Sequence, residues 1–276
     1  MIAFIKMHGL GNDCVIIDAR DTPVALSAGQ IRRIADRRRG VGCDQLALLQ
    51  PPRNGKADVF VRFFNADGSE SAACGNGTRC IAAHLMQASG SKRITLETQA
   101  GLLPAHIGAQ GLVAVDMGVP GLGWRDVPLA REMDTAMLDL SAGPHDAPAA
   151  VGMGNPHCIF FVADAEAVDL AVLGPAVENH PLFPDRTNVE FIEVLGENRL
   201  RMRVWERGAG ITQACGSGAC AAVVAAARRA KCGRKAEVVL DGGSLFIEWQ
   251  ADDHVLMSGP VAVAFSGTID DIAGVA

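Results

Sequence analysis

A short motif with one cysteine and two glycines occurs twice, as Cys74-Gly75-Asn76-Gly77 and as Cys215-Gly216-Ser217-Gly218. Each copy precedes an alanine-containing run that is suited to a helix. The unpaired N–H groups at a helix N-terminus favour the thiolate form of a cysteine placed there. They also bind carboxylates, and glycine lets a ligand come close to the backbone. The motifs therefore predict two reactive thiols, each beside an anion-binding helix end.

Two such thiols can invert a stereocentre if they act on opposite faces of one carbon. One thiolate removes the α-proton, and the other thiol delivers a proton to the opposite face. A nucleophilic cysteine enzyme needs one thiol and a base, so the duplication favours inversion. The helix dipole contributes about 0.3–1 kcal/mol, or ~2 kcal/mol in an enclosed site, and one pKa unit corresponds to ~1.36 kcal/mol. The dipole alone therefore lowers the thiol pKa by little more than one unit, so other groups must help. His157 and Glu206 are the nearest candidates by motif, although His157 could be structural and Glu206 could form an ion pair.

The elements that must position these thiols also occur twice. Landmarks recur in the same order at spacings of 140–143 residues, which predicts two copies of one domain. The landmarks are Gly11-Asn12 and Gly154-Asn155, residues 61–65 and 201–206, the two cysteine motifs, and residues 115–120 and 255–260. Asn65 aligns with Glu206 in this repeat.

Each copy is predicted to contain many short strands and one strong helix, at residues 78–88 and 219–231. Strands and helices do not alternate regularly, so the fold class is α+β. We expect an N-terminal domain at residues 1–118 and a C-terminal domain at residues 119–265, because Gly and Pro are frequent after residue 117. Residues 266–276 lie beyond the second copy and could pack back on the first domain.

A basic cluster lies between residues 32 and 39. Ser27 and Gln30 form a capping-box pattern, and arginines in the last turn of a helix favour its dipole. We interpret the cluster as a solvated helix end. Its members are Arg32, Arg33, Arg37, Arg38 and Arg39.

Composition disfavours several classes of function. The net charge of −6 argues against a nucleic-acid partner, and no apolar segment is long enough for a membrane helix. The N-terminus lacks the pattern of a secretory signal, so a cytoplasmic location is expected. The eight cysteines include no Cys-x-x-Cys pair, which disfavours a metal or redox site. We expect the six cysteines outside the motifs to be buried: Cys14, Cys43, Cys80, Cys158, Cys220 and Cys232.

Taken together, the motifs resemble those of the diaminopimelate epimerase family, cofactor-independent epimerases of lysine and peptidoglycan precursor synthesis. The resemblance covers nearly the whole chain. It is carried by the two cysteine motifs and by residues 8–13 (HGLGND), 40–45 (GVGCDQ), 65–70 (NADGSE), 154–157 (GNPH), 187–189 (TNV) and 205–208 (WERG).

The resemblance implies roles for residues whose function the spacing leaves open. Cys74 and Cys215 would be the proton-transfer pair, with His157 and Glu206 as catalytic support. Substrate would be bound by three groups of residues. The distal carboxylate would contact Asn65, Asn155, Asn188 and Arg207; the amino groups and thiols would be bound or oriented by Asn12, Gln45 and Glu206; the reacting carboxylate would meet Gly75, Asn76, Gly216 and Ser217.

The resemblance also implies an overall organisation. Each of two similar domains would be a mostly antiparallel, barrel-like sheet wrapped around a central helix. The substrate would be diaminopimelate, with no metal, no pyridoxal phosphate and no other cofactor, and the protein would be a homodimer. Three positions depart from the usual pattern, namely Cys14, Cys43 and Ile211, and none of them removes a named role.

Two alternatives remain open from the sequence. The first is a related two-thiol racemase for another amino acid, such as histidine or a proline derivative. The contacts for a distal carboxylate argue against it. The second is a non-catalytic thiol redox or metal-binding protein, which metal content and activity under reducing conditions would distinguish from an epimerase.

Overall fold

The computed structural model describes residues 1–53 and 55–270, which form two compact units. The first unit comprises Met1–Val115 together with the chain from Gly259, and the second comprises Asp116–Ser258. The predicted packing of residues 266–276 falls partly outside the described residues, because the description ends at Asp270. In the described part of the chain, no helix is long and apolar enough to cross a membrane.

The helices and strands have the following bounds in chain order. The strands are β1 (Ile2–Gly9), β2 (Asn12–Asp18), β3 (Gln45–Gln50), β4 (Val59–Asn65), β5 (Glu70–Ser71), β6 (Arg93–Thr98), β7 (Gly101–Ile107), β8 (Val113–Asp116), β9 (Ser141–Ala142), β10 (His145–Asp146), β11 (Ala149–Gly152), β12 (Pro156–Val162), β13 (Asn188–Gly196), β14 (Arg199–Glu206), β15 (Gly210–Ile211), β16 (Lys235–Leu240), β17 (Gly243–Trp249), β18 (Val255–Gly259) and β19 (Ala262–Ile269). The α-helices are α1 (Ala28–Ala35), α2 (Gly75–Ser89), α3 (Leu170–Glu178) and α4 (Gly216–Arg228).

The first unit contains a mixed sheet. Strand β1 pairs antiparallel with β2 and with β19, and β2 runs parallel to β3. Strand β3 is antiparallel to β4, which pairs antiparallel with β5 and parallel with β6. Strands β6, β7 and β8 continue as an antiparallel meander. The pairing of β19 with β1 places residues 262–269 in this sheet.

The second unit repeats the same order of pairing. Strand β11 is antiparallel to β12, β12 is parallel to β13, and β13 is antiparallel to β14. Strand β14 then pairs antiparallel with β15 and parallel with β16, and β16, β17 and β18 form a meander. The two-domain α+β class predicted from the sequence is confirmed, and both sheets contain parallel pairs among their antiparallel ones.

Each unit packs its sheet against one buried helix. Helix α2 contacts β1, β2, β6 and β7, and α4 contacts β11 to β14, β16 and β17. Helix α4 is buried along most of its length, and eight of its thirteen residues are glycine or alanine. Small side chains let the strands approach a helix closely, and alanine has the highest helix propensity. Helix α2 ends at Ser89, and the C-cap residue Gly90 is in the left-handed conformation, with φ 71°.

Both central helices begin three residues earlier than the sequence predicted, at Gly75 and Gly216. Glycine is unfavourable in a helix interior, so the run of helix-forming residues in the sequence begins after the two glycines. In the structure they form the first turn, where N–H groups have no partner within the helix. Each cysteine is consequently the N-cap residue of its helix.

Two other expectations are corrected. The capping box of Ser27 and Gln30 is present, but helix α1 ends at Ala35, so the last three arginines of the basic cluster follow the helix instead of ending it. Of these, Arg37 forms ion pairs with Asp13 and Asp44 and is not a solvated helix end. Cys232 is half-buried, whereas the other five cysteines outside the motifs are buried as expected.

Candidate active site

The Cys74 thiol caps the N-terminus of α2 with its own sulfur. Cys74 has an extended backbone, with φ −143° and ψ 111°, and its Sγ accepts a hydrogen bond from the backbone N–H of Gly77 at 3.2 Å. A side-chain acceptor at this position satisfies one of the unpaired N–H groups of the first turn. Gly77 is required there, because a Cβ atom would lie 2.7 Å from the Phe63 ring. The thiol is half-buried.

A chain of side-chain hydrogen bonds connects the first turn of α2 to the sheet. Asn76 donates from Nδ2 to Oδ1 of Asn12 at 3.2 Å, and Asn12 donates from Nδ2 to Oδ2 of Asp44 at 3.1 Å. At the other end, Oδ1 of Asn76 accepts from the buried Arg79 at 2.8 Å. Because each amide is bound on both its oxygen and its nitrogen, the orientation of Asn12 and Asn76 is fixed.

Charged groups hold Asp44 in turn. Arg37 donates to Asp44 at 2.7 Å and to both oxygens of Asp13 at 2.8 and 2.9 Å, and Lys6 lies 2.9 Å from Asp13. Burial opposes the ionisation of Asp13, but hydrogen bonds from Arg37 and Lys6 outweigh it and lower the pKa of that carboxyl well below its usual range. Asp13 is therefore an anionic acceptor at neutral pH.

Gln45 and Asn65 form a second polar pair in the first unit. They stand opposite each other on β3 and β4, and Gln45 donates from Nε2 to Oδ1 of Asn65 at 3.1 Å. Asn65 donates from Nδ2 to the Ser69 hydroxyl at 3.0 Å. The Oε1 atom of Gln45 is buried and has no hydrogen-bond partner among the described residues. An unpaired buried acceptor is costly, so this atom is a candidate contact for an amino group of a ligand.

The Cys215 thiol repeats the arrangement of Cys74 at the N-terminus of α4. Its Sγ accepts from the backbone N–H of Gly218 at 3.4 Å and lies 3.7 Å from the Ser217 hydroxyl. Cys215 is buried, unlike Cys74. A Cβ atom on Gly218 would lie 2.7 Å from a carboxylate oxygen of Glu190, so glycine is again required at the third helical position.

Glu206 is the carboxyl group that contacts the Cys215 thiol. Burial raises the pKa of Glu206, and hydrogen bonds from Thr212 and Cys215 oppose that shift. Burial also raises the pKa of Cys215 well above its usual value, and the negative charges of Glu206 and Glu190 add to this effect. Cys215 is therefore a protonated thiol at neutral pH. Glu206 accepts a hydrogen bond from the Thr212 hydroxyl, and no salt bridge to it is present within residues 1–53 and 55–270.

His157 lies in the middle of a polar chain in the second unit. Its Nδ1 is 2.6 Å from Oε1 of Glu190, and its Nε2 is 2.9 Å from Oδ1 of Asn155. His157 and Glu190 are both fully buried. Burial raises the pKa of Glu190, and His157 opposes the shift. Isolated charges are very unfavourable in such a position, so the two side chains depend on each other.

Asn188 and Arg207 also contact each other. The Asn188 side chain accepts from the backbone N–H of Arg207 at 2.9 Å and donates to the Pro156 carbonyl at 2.9 Å. The Arg207 side chain donates to the Asp185 carbonyl at 3.0 Å. Glu178 accepts from the backbone N–H of Gly208 at 2.9 Å, which fixes the turn after Arg207.

The residues named from the sequence thus form two clusters, one in each unit. In the first unit, hydrogen bonds connect Asn12 with Asn76 and Gln45 with Asn65, and Asn76 is in the first turn that Cys74 caps. In the second unit, Glu206 and Ser217 contact Cys215, His157 contacts Asn155, and Asn188 contacts Arg207. Gly75 and Gly216 are the first residues of the two helices.

Several polar residues of these clusters were not identified from the sequence. Asp44 was quoted only as part of a motif, and Arg37 was assigned to a solvated surface. Glu190 and Thr212 were not singled out. A signal for Glu190 existed, because a glutamate interrupts the apolar run Val189, Phe191 and Ile192 at a strand position. A buried position in such a run favours an apolar residue unless the carboxyl has a partner.

The sequence matches the family profile described as "Diaminopimelate epimerase" over residues 4–122 and 149–264. The chain belongs to the diaminopimelate epimerase family. A diaminopimelate epimerase from Rhodospirillum centenum is 57% identical over 268 residues, covering 97% of this chain and 92% of the relative. A diaminopimelate epimerase from Acidiphilium cryptum is 54% identical, covering 97% and 96%. These relationships confirm the expected enzyme class, an epimerase, and rule out the non-catalytic alternative.

Solved structures share the fold of this diaminopimelate epimerase family member at low sequence identity. A hydroxyproline epimerase from Agrobacterium vitis, with bound trans-4-hydroxy-L-proline, has a TM-score of 0.68 at 15% identity and covers 96% of this chain and 91% of its own. A phenazine biosynthesis protein of the PhzF family from Bacillus anthracis has a TM-score of 0.65 at 17% identity, covering 97% and 99%. At these identities the similarity concerns the fold alone.

No group of three or more histidine, cysteine, aspartate or glutamate side chains is arranged to hold a metal ion within the part of the chain that the structure describes.

Proposed function

We propose that this epimerase inverts the α-carbon of LL-2,6-diaminopimelate to give the meso form, in lysine and peptidoglycan precursor biosynthesis, with two thiols as acid and base. The observation that carries the proposal is the matched pair of N-cap cysteines, Cys74 and Cys215, each with its sulfur bonded to the third N–H of a central helix. Family membership supplies the substrate. The chemistry would need neither pyridoxal phosphate nor a metal ion.

The proposed reaction removes a proton from one face of the carbon and adds a proton to the opposite face. One thiolate removes the α-proton, the resulting negative charge spreads onto the adjacent carboxylate, and the other thiol protonates the opposite face. The raised pKa of Cys215 supports Cys215 as the acid and Cys74 as the base in the conversion of the LL isomer to the meso isomer. After donation, the Cys215 thiolate keeps the hydrogen bond from Gly218 and gains a charge-assisted interaction. The reverse reaction exchanges the two roles.

Two anion sites are proposed for the substrate. The N–H groups of the helix starts at Gly75, Asn76, Gly216 and Ser217 would bind the reacting carboxylate, whose charge increases as the proton leaves. Arg207 would bind the distal carboxylate, because a guanidinium matches a planar carboxylate. The amides that would assist it are Asn65, Asn155 and Asn188.

The amino groups of the substrate are proposed to meet oxygen acceptors. Gln45 has a buried Oε1 atom without a partner in the described residues, and Glu206 is partly buried beside Cys215. Asn12 would complete this set. His157 and Glu206 would support catalysis by setting the surroundings of the thiols. These assignments follow from the family resemblance together with the hydrogen bonds of each cluster.

Cysteine variants test the proposal. Cys74→Ala and Cys215→Ala are each expected to abolish conversion of LL-diaminopimelate, whereas Cys80→Ala, which changes a buried cysteine inside α2, is expected to retain activity. Conversion is followed by chiral chromatography with a reductant present. A protein that acts faster on a monocarboxylic amino acid than on diaminopimelate would contradict the substrate and favour a related racemase. Full activity of either alanine variant would contradict the two-thiol mechanism.

We also propose that the enzyme acts as a homodimer in the cytoplasm. The family resemblance supports the dimer, and strand β19 exposes Val263 at 55% and Phe265 at 48%. Apolar side chains exposed side by side are frequent where subunits associate. Sedimentation equilibrium measures the mass, and a monomer at micromolar concentration would contradict the dimer.

A further inference from the structure

Glu190 is a buried carboxyl group to which the proposed proton transfer assigns no role. It lies on β13, beside the first turn of α4, and its side chain is fully buried. Its Oε1 atom lies 2.6 Å from Nδ1 of His157, and Nε2 of His157 lies 2.9 Å from Oδ1 of Asn155. The three side chains therefore form one relay, with its outer end at the half-buried Asn155.

The contacts determine which atoms of His157 carry protons. The amide oxygen of Asn155 can only accept a hydrogen bond, so Nε2 of His157 must carry a hydrogen. The contact between Nδ1 and Glu190 is short, and it too must contain one proton, because two facing lone pairs would repel. Whether His157 or Glu190 holds that proton, the pair has no net charge. The raised pKa of Glu190 agrees with retention of this proton.

The relay determines what Asn155 offers to a ligand. With Oδ1 occupied by His157, the other end of the amide is the donor Nδ2, which has no hydrogen-bond partner among the described residues. If His157 lost the hydrogen on Nε2, the amide would turn, and Asn155 would present its oxygen instead. An oxygen would repel a carboxylate, whereas an N–H group binds it.

We propose that Glu190 is a positioning residue that fixes the proton on Nε2 of His157 and thereby holds the Asn155 amide with its NH2 group towards a carboxylate of the substrate. The contact with substrate rests on the proposed function, but the relay itself exists in the free protein. A second effect follows from the neutrality of the pair. A negative charge on Glu190 raises the pKa of the Cys215 thiol, and the proton shared with His157 offsets that charge.

Two substitutions separate positioning from ionisation. In Glu190→Gln the side-chain amide can donate to Nδ1, so His157 keeps its hydrogen on Nε2 and the relay keeps its neutral charge. In Glu190→Met nothing donates to or accepts from Nδ1, so His157 loses its fixed tautomer. Glu193→Gln is the matched control, because Glu193 lies on the same strand and bonds the backbone of Ala165 instead.

The experiment combines nitrogen NMR of histidine side chains in the substrate-free protein with steady-state kinetics on LL-diaminopimelate. We expect a hydrogen on Nε2 of His157 in the wild type and in Glu190→Gln, and loss of this fixed state in Glu190→Met. We expect KM to rise about tenfold in Glu190→Met, as for the loss of one hydrogen bond to a charged group, with a smaller change in kcat. KM should stay within about twofold of wild type in Glu190→Gln and in the control.

The contrary results distinguish an error in the relay from an error in the proposed substrate. An unprotonated Nε2 in the wild type would overturn the relay. An unchanged KM and an unchanged His157 spectrum in Glu190→Met would also overturn the relay. So would a folded Glu190→Gln protein whose KM rises as much as that of Glu190→Met. A wild-type protein with the expected His157 spectrum but no turnover of diaminopimelate would support the relay and contradict the proposed substrate.

Discussion

Gly77 donates its backbone N–H to the sulfur of Cys74 at 3.2 Å, and this bond ties the thiol to the first turn of a buried helix. Gly218 and Cys215 form the equivalent bond at 3.4 Å in the other unit. In a protein without this contact, a thiol at a helix start would be free to adopt several rotamers. The contact fixes the direction of the sulfur and stabilises its thiolate form.

The glycine at the third helical position is expected to be essential to this geometry. In Gly77→Ala the new Cβ would lie 2.7 Å from the Phe63 ring, so the first turn of α2 must move. Because small displacements of catalytic groups are costly, we expect kcat to fall at least ~100-fold. Steady-state kinetics measures the effect. Gly196→Ala is the control, since no atom lies within 4 Å of its added Cβ, and an equal loss in the control would contradict the argument.

Glu206 is expected to control the reactivity of Cys215. The negative charge of Glu206 contributes to the raised pKa of this thiol, so Glu206→Gln should lower it. Below the thiol pKa, a lower pKa means more thiolate and therefore faster alkylation. We expect iodoacetamide to modify Cys215 several-fold faster at pH 8 in the variant, measured by peptide mass spectrometry. The rate at Cys80, whose pKa burial raises to about 12, should not change. Slower modification of Cys215 would contradict the assigned charge effect.

Asp13 is expected to contribute to stability in a pH-dependent way. Its folded-state pKa is lowered below the ordinary value of 3.8, so its contribution is present at neutral pH and is lost as pH falls through the acid range. We expect Asp13→Asn to lower the free energy of unfolding by about 1–3 kcal/mol at pH 7 and by less near pH 3. Urea denaturation at the two pH values measures both.

The control for this prediction is Asp18→Asn. Asp18 pairs with Arg20 in an exposed position, where an ion pair contributes about 0–1 kcal/mol. A loss at pH 3 as large as that at pH 7 in Asp13→Asn would show that packing, and not the charge, is responsible.

Asp44 is expected to act on substrate through Asn12. Asp44→Ala removes the acceptor that fixes the Asn12 amide, so we expect KM to rise about five- to tenfold with a smaller effect on kcat. Residues that act through one hydrogen bond show non-additive effects. Asn12→Ala combined with Asp44→Ala should therefore raise KM little more than Asn12→Ala alone. Additive effects of the two substitutions would show that Asp44 acts independently of Asn12.

Much of this organisation was accessible from the sequence. The repeat predicted equivalent elements, and in the structure Asn65 and Glu206 are the last residues of the equivalent strands β4 and β14. Gly11 and Gly154 both have positive φ, 85° and 81°, as the repeated Gly-Asn pair requires. Patterns of this kind can be recognised in the sequence because they depend on local backbone geometry.

The contacts that depend on tertiary structure were not accessible in the same way. Arg37 follows a helix end that looked solvated, and only the parallel pairing of β2 with β3 brings Asp13 and Asp44 together beside it. Glu190 is separated from His157 by 33 residues, and the parallel pairing of β12 with β13 brings them together. No periodicity or local spacing predicts such partners, because register between strands is set by the packed core.

The most direct test of the two-thiol account is the incorporation of solvent deuterium at the α-carbon. LL-diaminopimelate and meso-diaminopimelate are each incubated with enzyme in D2O, and the substrate and product pools are examined by mass spectrometry before equilibrium. In D2O the second thiol carries deuterium and transfers it to the product, so with two bases deuterium should appear first in the product pool whichever isomer is supplied. Inversion without deuterium in the product, or deuterium that appears equally in both pools from the start, would contradict the mechanism.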